Sequence, residues 1–148
     1  MGHLIETRID IDAPASLIWE LLTDLPGYES WNPFVQEAQG VIAPGQQLIV
    51  SPRDASGRSY TFKPRVRLYE EGRAFSWFGA VLHPWLMGGD HRFALKPLSD
   101  TQTRLHHDEE FSGLLLPLIV LFAAQKTRTG FDDMNQAIKA EAERRAKG

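Results

Sequence analysis

Gly88–Ser112 reads GGDHRFALKPLSDTQTRLHHDEEFS, two alternating runs hinged on Ser99-Asp100. Folding it about that turn sets Leu95 against Leu105, Phe93 against His107 and His91 against Glu109, all on one face. Arg92, Lys96, Arg104, His106, Asp108 and Glu110 take the other face. Phe93, Leu95, Leu105 and Phe111 mark the first face as the one turned toward the interior, so His91, His107 and Glu109 are carried inward with them. A buried ionisable group must be paired, or its protonation shifts.

Working outward, Leu115 to Arg145 has no strand alternation, and Phe131, Met134 and Ile138 recur at helical spacing beside Asp132, Asp133, Gln136 and Lys139. A continuous helix there would be roughly 45 Å long, with Pro117 and Gly130 as places to begin or bend. Upstream, Val35 to Gly113 reads as strands separated by the turn signals Pro44-Gly45, Ala55-Ser56-Gly57, Glu71-Gly72, Gly88-Gly89 and Ser99-Asp100. Tyr60, Phe62, Val66 and Leu68 alternate with Thr61, Lys63, Arg65, Arg67 and Tyr69, giving one apolar and one wet face. A turn at Glu71-Gly72 then pairs Leu68 with Phe75 and Val66 with Trp77. At the start, Ile5, Thr7, Ile9 and Ile11 share one side of a strand over His3 to Ile11. The period then changes: after Pro14, Leu17, Ile18, Leu21 and Leu22 form a helical stripe that Pro26-Gly27 stops. Tyr28 to Phe34 reads as a helical turn and a bend, because Pro33 pushes Asn32 out of the helical region.

Strand, helix, antiparallel sheet and long helix make an α+β pattern in which the sheet must cover its apolar face. The final helix is the element long enough to do it. The sheet is expected to curl around that helix and leave an apolar cavity between them.

The 148 residues are expected to form one domain, 1–148, and 43% hydrophobic residues suffice for a core. With 16 Lys and Arg against 19 Asp and Glu, scattered along the chain, no nucleic-acid partner is expected. The absence of cysteine excludes disulfides, thiolate zinc sites and cysteine nucleophiles, and fits the cytosol. No secretory signal is visible, and Glu6 spoils a myristoylation site. The longest apolar run, Leu114 to Ala124, is shorter than the roughly 18 residues a membrane span needs, so a soluble chain without a transmembrane segment is expected. Glu110-Phe111-Ser112-Gly113-Leu114 lacks the first glycine of a nucleophile elbow, and Ser51, Ser59, Ser76 and Ser112 have no hydrolase pattern around them. No nucleotide-binding loop occurs, so no cofactor is expected.

The chain resembles the SRPBCC superfamily, the helix-grip domains of START lipid-transfer proteins, the birch pollen allergen group and polyketide cyclases. The carriers are IDIDAPASLIWELLTDLPGYESWNPF (Ile9 to Phe34), GGDHRFALKPL (Gly88 to Leu98) and TRLHHDEEFSGLLLP (Thr103 to Pro117). They are similar above all to the polyketide cyclase/dehydrase-like branch. The resemblance implies a curved antiparallel sheet wrapped around a long C-terminal helix, with two short helices after the first strand. It also implies a pocket for a hydrophobic or aromatic small molecule, and leaves carriage and catalysis both open.

His91 and Glu109 are the candidate catalytic pair, a general acid and base for a cyclase or dehydratase. The plainer reading is that they hydrogen-bond each other and fix the sheet. Two histidines and a carboxylate suffice chemically for a metal, but no helical His spacing supports one, and none is expected. Candidate ligand contacts are Trp31, Phe34, Phe62, Val66, Phe75, Trp77, Phe93, His107, Phe111, Leu118 and Phe122, any of which serves equally well as plain core. His83 and Trp85, in AVLHPWLMGG, form either a flap over the cavity mouth or an ordinary connection. Trp31 reads better as an anchor for the short helix. Arg65 and Arg67, with Lys63, either attract an anion or form a solvated face. A third reading is an interaction or regulatory domain that docks through Leu114 to Ala124 and the flap. Homodimerisation stays open.

Overall fold

The computed structural model describes residues 2–53 and 57–148. Alternation makes β1 (His3–Ile11), which buries Ile5, Thr7 and Ile11. The change of period follows at once in α1 (Ala15–Thr23), whose Ile18, Leu21 and Leu22 are buried. A 3-10 turn over Leu25–Ser30 comes next. Asn32 then accepts the backbone N–H groups of Phe34 and Val35 at 2.9 Å each, which makes the bend. The remaining elements are β2 (Val35–Gln39), β3 (Ile49–Pro52), β4 (Arg65–Glu70), β5 (Ala74–Ala80), β6 (Gly88–Ser99), β7 (Gln102–Ser112), α2 (Leu116–Phe122) and α3 (Ala124–Lys147).

Five strands form a curved antiparallel sheet in the order β1-β7-β6-β5-β4, while β2 and β3 pair separately. The sheet wraps the C-terminal helix in the expected α+β helix grip. Helix α3 closes it with the buried stripe Phe131, Met134, Asn135, Ile138 and Ala142. The β6–β7 register is the one expected: His91 opposite Glu109, Phe93 opposite His107, Leu95 opposite Leu105.

Four expectations change. The strand expected from Tyr60 begins at Arg65, because Pro64 has no N–H to give a ladder; Phe62 keeps only an isolated bridge to Val50 and Tyr60 is exposed. A bulge between Val66 and Leu68 preserves the Val66–Trp77 pair but sets Leu68 opposite Ser76 and Tyr69 opposite Phe75. Tyr69 therefore turns inward, against Trp19. Gly88-Gly89 is not a turn but the start of β6. A Cβ on Gly88 would stand 2.6 Å from the Phe78 ring, and one on Gly89 would collide with the Glu109 carboxyl, so both glycines allow side chains to cross the strand. Finally, the helical region begins beside Pro117, as expected, but is broken at Ala123, where φ is −118°, rather than at Gly130. Pro117 lies in the first turn of α2, and Gly130 lies within α3 with the Phe34 ring packed where a side chain would be. Of the turn expected at Ala55-Ser56-Gly57, the first two residues lie outside the described residues.

Candidate functional site

Adjacent strands and the facing helix bring five polar side chains into line inside the grip. The His91 and His107 Nε2 atoms are 2.7 Å apart. His107 Nδ1 meets Asn135 Oδ1 at 2.8 Å, and Asn135 Nδ2 donates to Thr7 Oγ1 at 2.9 Å. Thr7 Oγ1 donates to the His107 carbonyl at 2.6 Å. At the other end, His91 Nδ1 faces Glu109 Oε1 across 3.7 Å.

This order settles every proton. The Thr7 hydroxyl has one hydrogen, spent on the His107 carbonyl, so it can only accept from Asn135. The Asn135 oxygen must then face His107, whose Nδ1 carries a hydrogen and whose Nε2 is bare. His91 Nε2 is therefore the donor, and in the neutral ring its Nδ1 is a bare acceptor aimed at Glu109. Two Nε2 atoms at 2.7 Å also leave no room for a metal between them. Among the described residues, no group of three His, Cys, Asp or Glu is placed to hold a metal ion.

The surroundings explain why both imidazoles are neutral. Burial holds His91 well below its ordinary value, with the neighbouring His107 adding to the effect. Burial likewise pulls His107 down to about 3, against a small opposing effect from Asn135. The cage is aromatic: the ring of Phe131 is centred 4.0 Å from His107, Phe93 is 4.5 Å from His107, and Trp77 is 4.9 Å from His91. Glu109 is pushed the other way, up to about 8, first by burial and then by the charge of Asp90. Its side chain is only 16% exposed. At neutral pH the site thus presents a protonated carboxyl beside a bare imidazole nitrogen, a donor and an acceptor able to meet a hydroxyl or carbonyl group.

The expected contacts separate into three sets. Val66, Phe75, Trp77 and Phe93 are buried core, and Phe93 and Trp77 also enclose the histidines. Phe34 packs edge-on to Phe131 at 5.6 Å, whereas Trp31 packs on Tyr28 at 5.2 Å as an anchor. Phe62 is partly buried against the core, far along the chain from the histidine strands. Phe111 lies at the end of β7, beside Gly89. His83 and Trp85 share the exposed Val81–Met87 connection, their rings 5.4 Å apart. Leu118 and Phe122, expected as interior walls, are 53% and 68% exposed, because the break at Ala123 leaves α2 with Ile119 as its buried residue.

The cavity expected between sheet and helix is occupied by the protein's own rings, with His91, Phe93, His107 and Phe131 stacked on one another. Two hollows lie away from it. An open groove of about 630 Å³ runs between α2 and the start of β1, lined by Gly2, His3, Leu116, Pro117, Val120 and Leu121. A second, of about 370 Å³, lies on the outer face of the sheet over Glu6, Arg8, His106 and Asp108.

Thr7 and Asn135 were not singled out from sequence as site residues. Asn135 had a usable signal, being a polar residue on the apolar stripe between Phe131 and Ile138.

A curved antiparallel sheet gripping a long C-terminal helix, with two short helices after the first strand, defines the helix-grip class of α+β proteins. Residues 3–143 match the family described as "Polyketide cyclase / dehydrase and lipid transport", and the chain belongs to it, within the SRPBCC superfamily. Among solved structures it is similar to the ZhuI aromatase/cyclase from Streptomyces sp. R1128, with a TM-score of 0.78, 18% identity and coverage of 98% of this chain and 96% of that one. A START superfamily protein from Mycobacterium smegmatis gives 0.75 at 19% identity, covering 97% and 99%. Ara h 8.0201 gives 0.65 at 13% identity, covering 95% and 99%. No curated protein matches the chain in sequence. Proteins of this superfamily bind hydrophobic ligands. Among the described residues, no helix is long and apolar enough to cross a membrane.

Proposed function

We propose that the protein binds a hydrophobic or aromatic small molecule carrying a hydroxyl or carbonyl group, seated between the sheet and α3. The polar group meets Glu109 and His91, and the apolar body takes the place of the Phe131 ring, which lies on His91 and His107. The observation that carries this reading is the Glu109 carboxyl: half-buried, protonated and 3.7 Å from a bare imidazole nitrogen, so that its hydrogen-bonding capacity is left for a guest. Phe131 and Phe34 are the gate. They touch each other edge-on at 5.6 Å, and Gly130 beside them gives Phe34 its room. Calorimetric titration with 1-naphthol and with palmitic acid tests it. Saturable binding of either that weakens in His91→Phe and Glu109→Leu supports the reading, and no binding of either, or binding indifferent to both substitutions, overturns it.

The same pair favours a second reading, an enzyme of the cyclase or dehydratase type. A protonated carboxyl and a neutral imidazole are the two halves of an acid–base exchange. The ZhuI likeness at 18% identity supports the fold alone. Turnover of a polyketide-like ketone that is lost in both Glu109→Gln and His91→Phe would favour catalysis over carriage.

A further inference from the structure

The end of the sheet nearest Glu109 is formed by His3, Ala80, Gly88 and Phe111, and two pieces of chain cap it. One is the Val81–Met87 connection and the other is α2. They are tied together by backbone bonds from Leu114 to Trp85 and from Leu115 to Leu86, each 2.9 Å. Helix α2, LPLIVLF, has no polar residue. Around it Leu114, Leu118, Leu121 and Phe122 are exposed by 53–72%, and Trp85 by 60%. Leu82 is 89% exposed and held at a φ of 67°, a conformation that disfavours a residue with a side chain and here projects an apolar one into solvent. Scattered exposed apolar residues need no explanation, but a contiguous patch of this kind marks an interaction surface.

The charge around the patch says what covers it. The chain has 19 acidic residues and a net charge of −3, yet none of the 19 falls in 74–89 or 111–131, the two stretches that supply the cap. The charged residues in those stretches are Lys126 and Arg128, both exposed and within one turn or two of Phe122. Arg128 donates to the Glu6 carbonyl rather than to a carboxylate, so its charge is not cancelled. An apolar helix with a tryptophan at its side and cations at its rim, in stretches that themselves carry no acid, matches the interfacial layer of an anionic membrane, with Glu110 beside Gly2 at the β1 edge of the groove. A second copy of the chain would bring the same two cations to the same face.

We propose that α2 and the Val81–Met87 connection dock the protein onto an anionic lipid surface, with Leu118, Leu121, Phe122 and Trp85 entering the interface and Lys126 and Arg128 meeting lipid phosphates. The docking holds whether or not the interior takes a ligand.

Flotation of the full chain with vesicles of phosphatidylcholine alone, or mixed with phosphatidylserine, tests this. The wild type is expected to float with the mixed vesicles and to be released by added salt. Lys126→Gln with Arg128→Gln lowers the partition roughly 25-fold, about fivefold per cation, and Leu121→Asp with Phe122→Asp abolishes it. These side chains are exposed, so circular dichroism and thermal melting of both variants are expected to match the wild type. Failure of the wild type to float on either vesicle overturns the proposal, as does flotation indifferent to salt. So does a dimer in sedimentation equilibrium that the Leu121/Phe122 variant disperses while wild type stays off the vesicles.

Discussion

Glu109→Gln isolates the carboxyl at almost constant shape, replacing a group that stands 3.7 Å from His91 Nδ1 by an amide that does not titrate. The carboxyl has an ordinary value of 4.5 and is pushed up to about 8 in the folded chain. Between those values the folded state holds a proton that the unfolded state has released. Its contribution to stability is therefore complete below pH 4.5 and lost as pH rises toward about 8. The histidines act in the opposite sense. Both are held below their ordinary 6.5, so their contribution is complete above pH 6.5 and is lost as the solution becomes more acid. Two rising histidine limbs outweigh one falling carboxyl limb up to 6.5, and beyond it the carboxyl acts alone, which puts the combined maximum near pH 6.5. Above that maximum each pH unit costs about 1.4 kcal/mol, so the wild type loses about 2 kcal/mol on the way to pH 8. Urea unfolding at half-unit steps across that range, for wild type and Glu109→Gln, measures it. The variant is expected to lack this loss. A variant whose unfolding free energy falls with the wild-type slope would refute the assignment of a protonated, buried Glu109.

Three further substitutions probe the packing around that group. Asn135→Ala leaves the His107 Nδ1–H and the Thr7 hydroxyl short of a partner, and is expected to cost about 1–3 kcal/mol in thermal unfolding. It also frees the His107 tautomer, which imidazole nitrogen shifts report; an unchanged tautomer would contradict the chain of donors. Phe131→Ala removes the ring lying 4.0 Å from His107 and is expected to cost about 3–5 kcal/mol while strengthening 1-naphthol binding. Weaker binding there would contradict its role as gate. Gly88→Ala places a methyl 2.6 Å from the Phe78 ring and is expected to lower the urea midpoint by the equivalent of about 1–3 kcal/mol, so an unchanged midpoint would contradict the packing of Phe78 over Gly88.

The inner face of the β6–β7 hairpin was legible from sequence because the one register shift, between Pro97 and Ser99, lies at the turn itself, and from Pro97 onward the alternation carries unbroken to His91 and Glu109. The same reasoning failed one hairpin earlier. There the extra residue at Arg67 shifts every later side chain to the other face, and nothing in Arg65–Glu70 announces it. Gly88-Gly89 misled for a different physical reason: glycine signals a turn by its conformational freedom, but here it serves by its missing Cβ. The histidine pair was placed correctly as inward, yet its contact with Asn135 depends on how α3 rotates over the sheet, which strand periodicity does not report. The filling of the interior by Phe131 was illegible for the same reason, as was the break at Ala123 that turns Leu118 and Phe122 to solvent.

The most direct test of the ligand reading is the nitrogen NMR spectrum of the two buried imidazoles during titration with 1-naphthol. A guest seated on Glu109 and His91 is expected to shift the His91 Nδ1 resonance saturably, with His107 following through the shared 2.7 Å contact. Shifts confined to α2 and the Val81–Met87 connection, with both imidazoles unmoved at saturation, would contradict it.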